Sequence, residues 1–270
     1  MNSKVKLQLL RSSVLLILSL FSSSVFAIHA LPEFNAKYAV SKFGIKLAEA
    51  RYQLFYTETG YKITQNTDLY GIAVYFSNYA VAAYSYVDVE DDHLLLKKHN
   101  YILSGSDEDK DEDFDITWDN NKDKLSGSMT GVVRGQNVNL TLDTETWDLL
   151  SFQIPLMMEA NKNVKDYPYN AILIGEVDNY TFEFTETKNV TFSNKKYTAL
   201  KMICKDKNRN RQLHVWLVPE LYNIPVVIEN YRDDRIHFRG QLESVSFNNK
   251  EFYTDQDAEA ETEQDDDNDF

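Results

Sequence analysis

Aromatic and polar side chains alternate along the stretch Tyr180-Thr181-Phe182-Glu183-Phe184-Thr185. A period of two places successive side chains on opposite faces, which is typical of a β-strand with one buried face. Residues 213–218 repeat the pattern, with Leu213, Val215 and Leu217 on one face and His214, Trp216 and Val218 on the other. Both stretches therefore predict strands of a sheet that covers an apolar core.

Further strand candidates come in pairs joined by turn residues such as Thr59-Gly60 and Arg232-Asp233-Asp234. The pairs are residues 51–56 with 62–67, 115–119 with 126–133, and 226–229 with 236–241. Strand-and-turn units that follow one another closely favour a mainly β protein. We expect one antiparallel sheet, curled into a barrel or half-barrel.

Two segments depart from this alternation. Residues 72–83 are apolar and aromatic, and they predict either a strand pair or a short helix. Residues 144–161 predict one or two short helices: Thr144 is a candidate N-cap, and Trp147, Leu150 and Ile154 give an apolar face. Pro155 lies in the middle of this segment and predicts a kink or a break.

The first 27 residues have the pattern of a secretory signal peptide. Bases precede an apolar run at residues 14–21, which is shorter than the roughly 20 residues of a transmembrane helix. Small residues predict cleavage after Ala27; cleavage after Ala30 and an uncleaved membrane anchor are the alternatives. Lipid attachment would need a cysteine at the cut, and Cys204 is the only one. We therefore expect a periplasmic protein without a stable membrane anchor.

The acidic charge is concentrated in two places. Residues 255–270 carry nine acids and no base and predict a disordered tail, which leaves residues 28–254 as one β-rich domain. Residues 107–113 are also acidic, but they lack the glycine and the twelfth-position glutamate of a calcium-binding loop, so a solvated loop is favoured. A net charge of −14 without a basic run argues against nucleic acid or an anionic lipid surface as partner.

The usual motifs of catalysis and metal binding are missing from the sequence. It contains no Gly-x-Ser-x-Gly, no His-Glu-x-x-His and no Cys-x-x-Cys. His214 and His237 lie on separate strand candidates and could bind a metal with one carboxylate, although two surface-facing imidazoles are the favoured interpretation. Cys204 lies in a predicted strand, and we expect a buried, inert thiol. The sequence assigns no catalytic, cofactor or metal residue.

Several short motifs follow one another along the chain. A strand, a turn and a strand cover residues 38–50, with Gly44 in the turn and Glu49 in the second strand. Asp148 and Ser151 form an Asp-x-x-Ser segment that enters the predicted helix. A tryptophan strand around Trp216 and a turn around Pro225 follow, and residues 240–245 form the closing strand.

This order resembles the DUF3108 family of bacterial envelope proteins of unknown function, over residues 38–247. Ala48 stands where the family pattern has a glycine. The resemblance implies that the six positions have structural roles: Gly44, Glu49, Asp148, Ser151, Trp216 and Pro225. The tryptophan strand with its Pro-Val turn is also similar to periplasmic lipoprotein carriers, which are half-barrels around an acyl-chain cavity. That second likeness concerns the fold alone.

The sequence favours a soluble periplasmic protein that binds a lipid or another apolar or amphipathic envelope molecule. One alternative is an enzyme that acts on polysaccharide or peptidoglycan with two facing carboxylates. Another is an integral outer-membrane barrel, although the strands look short for that role. Sequons at Asn139, Asn179 and Asn189 leave a secreted eukaryotic protein as a further possibility. The sequence indicates no oligomeric state.

Overall fold

The alternation of apolar and polar side chains extends through most of the chain, which folds into one large, nearly closed, barrel-shaped sheet. The structure is a computed structural model, and it describes residues 31–75, 77–91, 93–121, 124–206, 210–248 and 250–254. Within these residues a single short α-helix and two 3-10 turns accompany the strands. No helix in the described ranges is long and apolar enough to cross a membrane.

The first eight strands form one half of the sheet. They are β1 (Phe34–Lys42), β2 (Ile45–Tyr56), β3 (Gly60–Leu69), β4 (Ala80–Glu90), β5 (His93–Ser104), β6 (Glu112–Asn121), β7 (Lys124–Val133) and β8 (Gln136–Leu142). The second half begins with β9 (Thr146–Trp147), the helix α1 (Gln153–Glu159), β10 (Asp166–Leu173), β11 (Glu176–Phe192) and β12 (Lys195–Asp206). It ends with β13 (Arg211–Val218), β14 (Ile224–Arg232), β15 (Arg235–Phe247) and β16 (Lys250–Thr254).

The strand order follows from hairpins in both halves. It runs β8-β7-β6-β5-β4-β3-β2-β1-β15-β14-β13-β12-β11-β10-β9, and β16 pairs with β15. Neighbours are antiparallel except for β9 and β10, which are parallel. The predicted pairs β2–β3, β6–β7 and β14–β15 are confirmed. The pairing of β1 with β15 joins the two halves.

The two ends of the sheet come close together. The turn between β10 and β11 contains Gly175, whose φ is +74°. A Cβ atom there would lie 2.9 Å from Cγ2 of Val138 on β8, so glycine permits this close approach. Near the other end of the strands, His93 Nδ1 lies 2.6 Å from Glu145 Oε1, just before β9. Both contacts join the second half of the barrel to the first, although β8 and β9 are not neighbours in the strand ladder.

The two faces of the sheet differ in polarity. On β1, Phe34, Ala36 and Tyr38 are buried and point inward. On the outer face Lys37 Nζ lies 2.6 Å from Glu49 Oε1 and 3.4 Å from Glu243 Oε2. Since this face is polar and the interior apolar, core packing and the ladder of strands hold the barrel together.

The two segments that depart from the alternation are only partly as predicted. Gly71–Tyr75 is a 3-10 helix and β4 begins at Ala80, so residues 72–83 combine a short helix with a strand. Of residues 144–161, only α1 is helical. The predicted Thr144 cap is wrong, because Thr146 and Trp147 pair with β10. The predicted kink at Pro155 is also wrong: Pro155 lies in the first turn of α1, where a missing N–H removes no helical hydrogen bond.

Residues 107–111 of the acidic run lie in the loop between β5 and β6 as predicted, whereas Glu112 and Asp113 already belong to β6. The predicted signal peptide, with its cleavage at Ala27, and the predicted tail at residues 255–270 lie outside the described residues. Cys204 is buried in β12, as predicted.

Candidate ligand-binding groove

Residues 148–160, here called the inner segment, pack against the inner face of the second half of the barrel. The Phe152 ring stacks on Phe182 of β11, with centroids 5.3 Å apart and planes at 24°. The end of α1 is held by Asn223, whose Nδ2 donates to the carbonyl oxygens of Met157 at 2.7 Å and Ala160 at 3.1 Å. These bonds satisfy carbonyl groups that a helix end leaves without a partner.

Asp148 fixes the beginning of the inner segment. Its Oδ1 accepts hydrogen bonds from the backbone N–H groups of Leu150 at 2.6 Å and Ser151 at 3.0 Å. The Ser151 hydroxyl donates to Asp148 Oδ2 at 2.6 Å. Both residues are buried, with at most 1% of Asp148 exposed. The Asp-x-x-Ser motif is therefore a self-contained turn that orients the chain before α1.

The same turn is attached to the first half of the barrel. His99 of β5 has its Nδ1 3.2 Å from Asp148 Oδ1 and 3.0 Å from Ser85 Oγ on β4. The His99 ring also packs on Phe114 of β6, with centroids 5.1 Å apart. The inner segment thus connects the two halves of the barrel through the interior.

A serine, a histidine and an aspartate together suggest a hydrolytic triad, but their geometry does not fit one. In a triad the acid and the nucleophile occupy opposite ring nitrogens of the histidine, so that the proton passes through the ring. Here Ser85 and Asp148 both lie at Nδ1 of His99. Ser85 is also fully buried, which keeps a substrate away from its hydroxyl. The cluster is an anchor for the inner segment.

Beside the inner segment lie two adjoining apolar cavities. The rim cavity has a volume of about 140 Å³. Its apolar lining includes Leu149, Phe152, Ala171, Phe182, Cys204 and Leu213. The inner cavity has a volume of about 260 Å³. Its lining includes Tyr52, Leu156, Met157, Val215, Pro225 and Ile228.

The two cavities adjoin, because Leu149, Phe152 and Leu213 line both of them, and together they are here called the groove. Ligand sites usually span about 300–1,000 Å³. Each cavity alone falls below this range, whereas the groove reaches it. Leu149 is 50% exposed although it lines the groove, so the groove is open to solvent at this residue.

The interior of the groove is uncharged at neutral pH. Burial raises the pKa of the Cys204 thiol to about 11 and that of the Tyr52 hydroxyl to about 12. Polar groups collect at one end of the rim cavity, where β12 ends and β13 begins. They are Asp206, Arg211, Gln212 and Asn230. The groove therefore has an apolar interior and a polar end.

The family-motif residues are placed in different parts of the barrel. Gly44 is in the turn between β1 and β2 with φ +78°, a conformation that suits glycine. Glu49 lies on the outer face beside Lys37 and Lys46. Pro225 lines the inner cavity, and its carbonyl oxygen accepts a hydrogen bond from the Tyr38 hydroxyl at 2.8 Å. Of this set, only Pro225 belongs to the groove lining.

Trp216 and the two histidines lie away from the groove. Trp216 is buried on the other face of β13, where Lys201 Nζ lies 5.5 Å from its ring. His214 is on the same face and only 9% exposed, because the Tyr231 ring covers it, with the two ring centroids 4.3 Å apart. The interpretation of His214 as a surface imidazole is therefore wrong. Burial, followed by the charge of Lys201, lowers its pKa.

His214 and His237 do not meet as a metal pair, because β14 separates their strands. Glu229 is the residue opposite His214, and its carboxylate accepts hydrogen bonds from Arg239 and Tyr231, both at 2.9 Å. Among the described residues, no three His, Cys, Asp or Glu side chains are grouped so as to hold a metal ion.

Sequence reasoning missed the groove residues. Leu149 and Phe152 lie within residues 144–161, for which the sequence predicts helix, and Ala171 has no feature that distinguishes it. The available signal was Leu149 itself, an apolar residue inside the Asp-x-x-Ser motif that does not fit the apolar face of a helix.

Comparison with known proteins identifies the family. The family model described as "Protein of unknown function (DUF3108)" matches residues 33–239, and the chain belongs to this family. No curated protein matches the chain. The fold is similar to a crystal structure of a β-barrel-like protein with the domain of unknown function DUF1849 from Brucella abortus. That match has a TM-score of 0.54 and 11% identity, and it covers 81% of this chain and 98% of the other.

Proposed function

We propose that this DUF3108 protein is an exported periplasmic protein that binds an apolar or amphipathic molecule of the bacterial envelope. The ligand would lie in the groove between the inner segment and strands β10–β14. The observation that carries the proposal is the predominantly apolar lining of the two adjoining cavities, which share Leu149, Phe152 and Leu213. Burying apolar surface in such a groove contributes roughly 25 cal/mol per Å².

The shape of the barrel supports a binding role. Barrels of about eight strands are filled by their own side chains, whereas wider barrels enclose space. Here sixteen strands form the sheet, and two cavities lie beside the inner segment. The buried anchor at Asp148 holds that segment against β4 and β5, which leaves the groove on the opposite side.

The periplasmic location rests on the predicted signal peptide. The ion pairs of Lys37 and Lys46 with Glu49 and Glu243 on the outer face favour a soluble barrel. A membrane-spanning barrel turns an apolar band outward instead. Export is tested by fractionating cells that express the full chain. Recovery from the cytoplasm, or from membranes only with detergent, would contradict the proposed location.

Binding is tested on protein purified from the periplasmic fraction. Native mass spectrometry and lipid extraction should detect a co-purified apolar molecule, and an environment-sensitive fluorescent probe should bind the emptied protein. The Ala171→Phe variant places a ring in the rim cavity and should weaken probe binding at least about tenfold. The control is Ala82→Phe, at an exposed position on β4.

Overpacking can also destabilise a protein by about 1–3 kcal/mol, so thermal unfolding of both variants must accompany the binding data. A folded Ala171→Phe protein that binds the probe as well as the wild type does would refute the groove as the binding site. An empty protein that binds no apolar probe would refute the proposed function.

A further inference from the structure

The polar end of the groove carries a row of arginines. Arg211 of β13 lies directly opposite Arg232 of β14, which in turn lies opposite Arg235 of β15. All three are exposed. Like charges directly opposite each other on a sheet are unfavourable unless an anion compensates them.

This row lies on the groove side of the sheet. Directly opposite residues point to the same face, and two positions along a strand restore that face. Arg211 therefore shares a face with Leu213, which lines both cavities, and Arg211 itself lines the rim cavity. Arg232 shares a face with Asn230, another residue of the rim cavity.

Lys42 at the end of β1 adds a fourth cation to the row. Its Nζ lies 5.2 Å from the centroid of the Phe238 ring on β15, next to the arginines in the strand order. Burial, followed by the positive charges of Lys42, Arg232 and Arg211, lowers the pKa of His237. The fields of these three cations thus converge on this end of the barrel.

Carboxylates lie near the row but do not pair directly with it. Asp206 lies opposite Arg211 across β12 and β13 and also lines the rim cavity. Asp233 and Asp234 occupy the turn beyond Arg232, where they accept hydrogen bonds from Asn210 at 2.9 Å and Gln212 at 3.3 Å. Within the described ranges, no carboxylate lies within ion-pair distance of Arg211, Arg232, Arg235 or Lys42. The guanidinium groups of the row therefore have no direct carboxylate partner among the described residues.

We propose that the ligand of the groove is an anionic amphiphile, with its apolar chain beside the inner segment and its phosphate or carboxylate at Arg211, Arg232 and Arg235. This inference rests on the proposed function and adds the charge of the ligand. The arginine fork binds phosphate and carboxylate through paired N–H groups, and exposed arginines leave that fork available.

The test compares ligands that share a ten-carbon chain: decyl phosphate, decanol and decyltrimethylammonium, each below its micelle concentration, with inorganic phosphate as a headgroup alone. At low salt, decyl phosphate should bind about tenfold more tightly than decanol, the effect of one or two charge-assisted contacts. The preference should shrink in 0.5 M salt. Inorganic phosphate should compete only weakly.

The double variant Arg232→Gln/Arg235→Gln should lose the preference for decyl phosphate and bind decanol as before. Arg134→Gln, an exposed arginine in the turn between β7 and β8, is the matched control and should keep the preference. Equal binding of decyl phosphate and decanol by the wild type would overturn the inference and leave the proposed function intact. Binding of none of the chains would overturn both. If inorganic phosphate competed as strongly as decyl phosphate, the arginines would form an anion site that does not depend on the apolar chain. This result would also overturn the inference.

Discussion

Replacing Asp148 by alanine should destabilise the barrel strongly, because the carboxylate is the acceptor for the whole turn before α1. The variant leaves the N–H groups of Leu150 and Ser151 buried without their acceptor. An orphaned buried group costs about 1–3 kcal/mol, and bonds to a charged acceptor lie at the upper end. We expect the free energy of unfolding to fall by about 3–5 kcal/mol, a large share of the roughly 5–15 kcal/mol of a typical protein.

Urea unfolding followed by tryptophan fluorescence measures this change, and Trp147 beside Asp148 makes the signal sensitive to the turn. Ser151→Ala removes one hydroxyl and should cost about 1–2 kcal/mol. Asp115→Ala, an exposed carboxylate on β6, should change stability by less than about 0.5 kcal/mol. A loss below about 1 kcal/mol for Asp148→Ala, or a gain, would refute the structural role, since residues kept for chemistry often cost stability.

Three further predictions concern single side chains. With a pKa of about 11, the Cys204 thiol should react with a neutral thiol reagent at pH 8 roughly 100-fold more slowly than a cysteine whose pKa is 9.0. Ligands bound in the groove should slow this reaction further. Burial raises the pKa of the Glu112 carboxyl above 4.5, so the contribution of this group to stability is lost as the pH rises through its pKa in the folded protein. The stability of Glu112→Gln relative to the wild type, measured by urea midpoints, should therefore increase between pH 4 and pH 7. Gly175→Ala should cost more than about 1 kcal/mol in thermal unfolding and more than Gly44→Ala, because only the first alanine meets a neighbour within 3 Å.

The sheet was predictable because its signal is local. Alternation in residues 180–185 and 213–218 marks a strand and its buried face whatever the partner strand is, and hairpins need only short turns. The strand order could be predicted where consecutive strands are joined by hairpins. The β1–β15 pairing that joins the halves could not be predicted, since it matches residues about 200 positions apart and no turn specifies it.

The inner segment was predicted less well, because its conformation is set by contacts from distant strands. The pattern of Trp147, Leu150 and Ile154 is helical in spacing, yet Trp147 pairs with Ala171 in the sheet. Tertiary pairing thus outweighs helix periodicity at this point. The Asp-x-x-Ser motif draws attention to Asp148 and Ser151, but the partner of Asp148, His99, lies on β5 and is visible only in the folded chain.

The arginine row at the mouth of the groove could not be predicted from the sequence either. Arg211, Arg232 and Arg235 are separated in sequence by acids and by up to 24 positions, so composition describes an acidic protein without a basic patch. The antiparallel register alone places them in a row. The argument against nucleic acid and anionic lipid surfaces as partners stays a prediction, and the anionic amphiphile inferred above concerns a single molecule at this end of the barrel.

The anchor and the groove should be energetically linked, because the same segment serves both. Leu149 lies between Asp148 and Leu150 of the anchored turn and lines both cavities. A ligand that binds only the folded protein stabilises it by RT ln(1 + [L]/Kd), about 2.7 kcal/mol at 100 times Kd. Decyl phosphate should therefore raise the urea midpoint of the wild type, and less so for Asp148→Asn, whose turn keeps its size but loses the charged acceptor. An equal rise in both proteins would show that the ligand does not depend on the inner segment, and that the groove is formed by the strands alone.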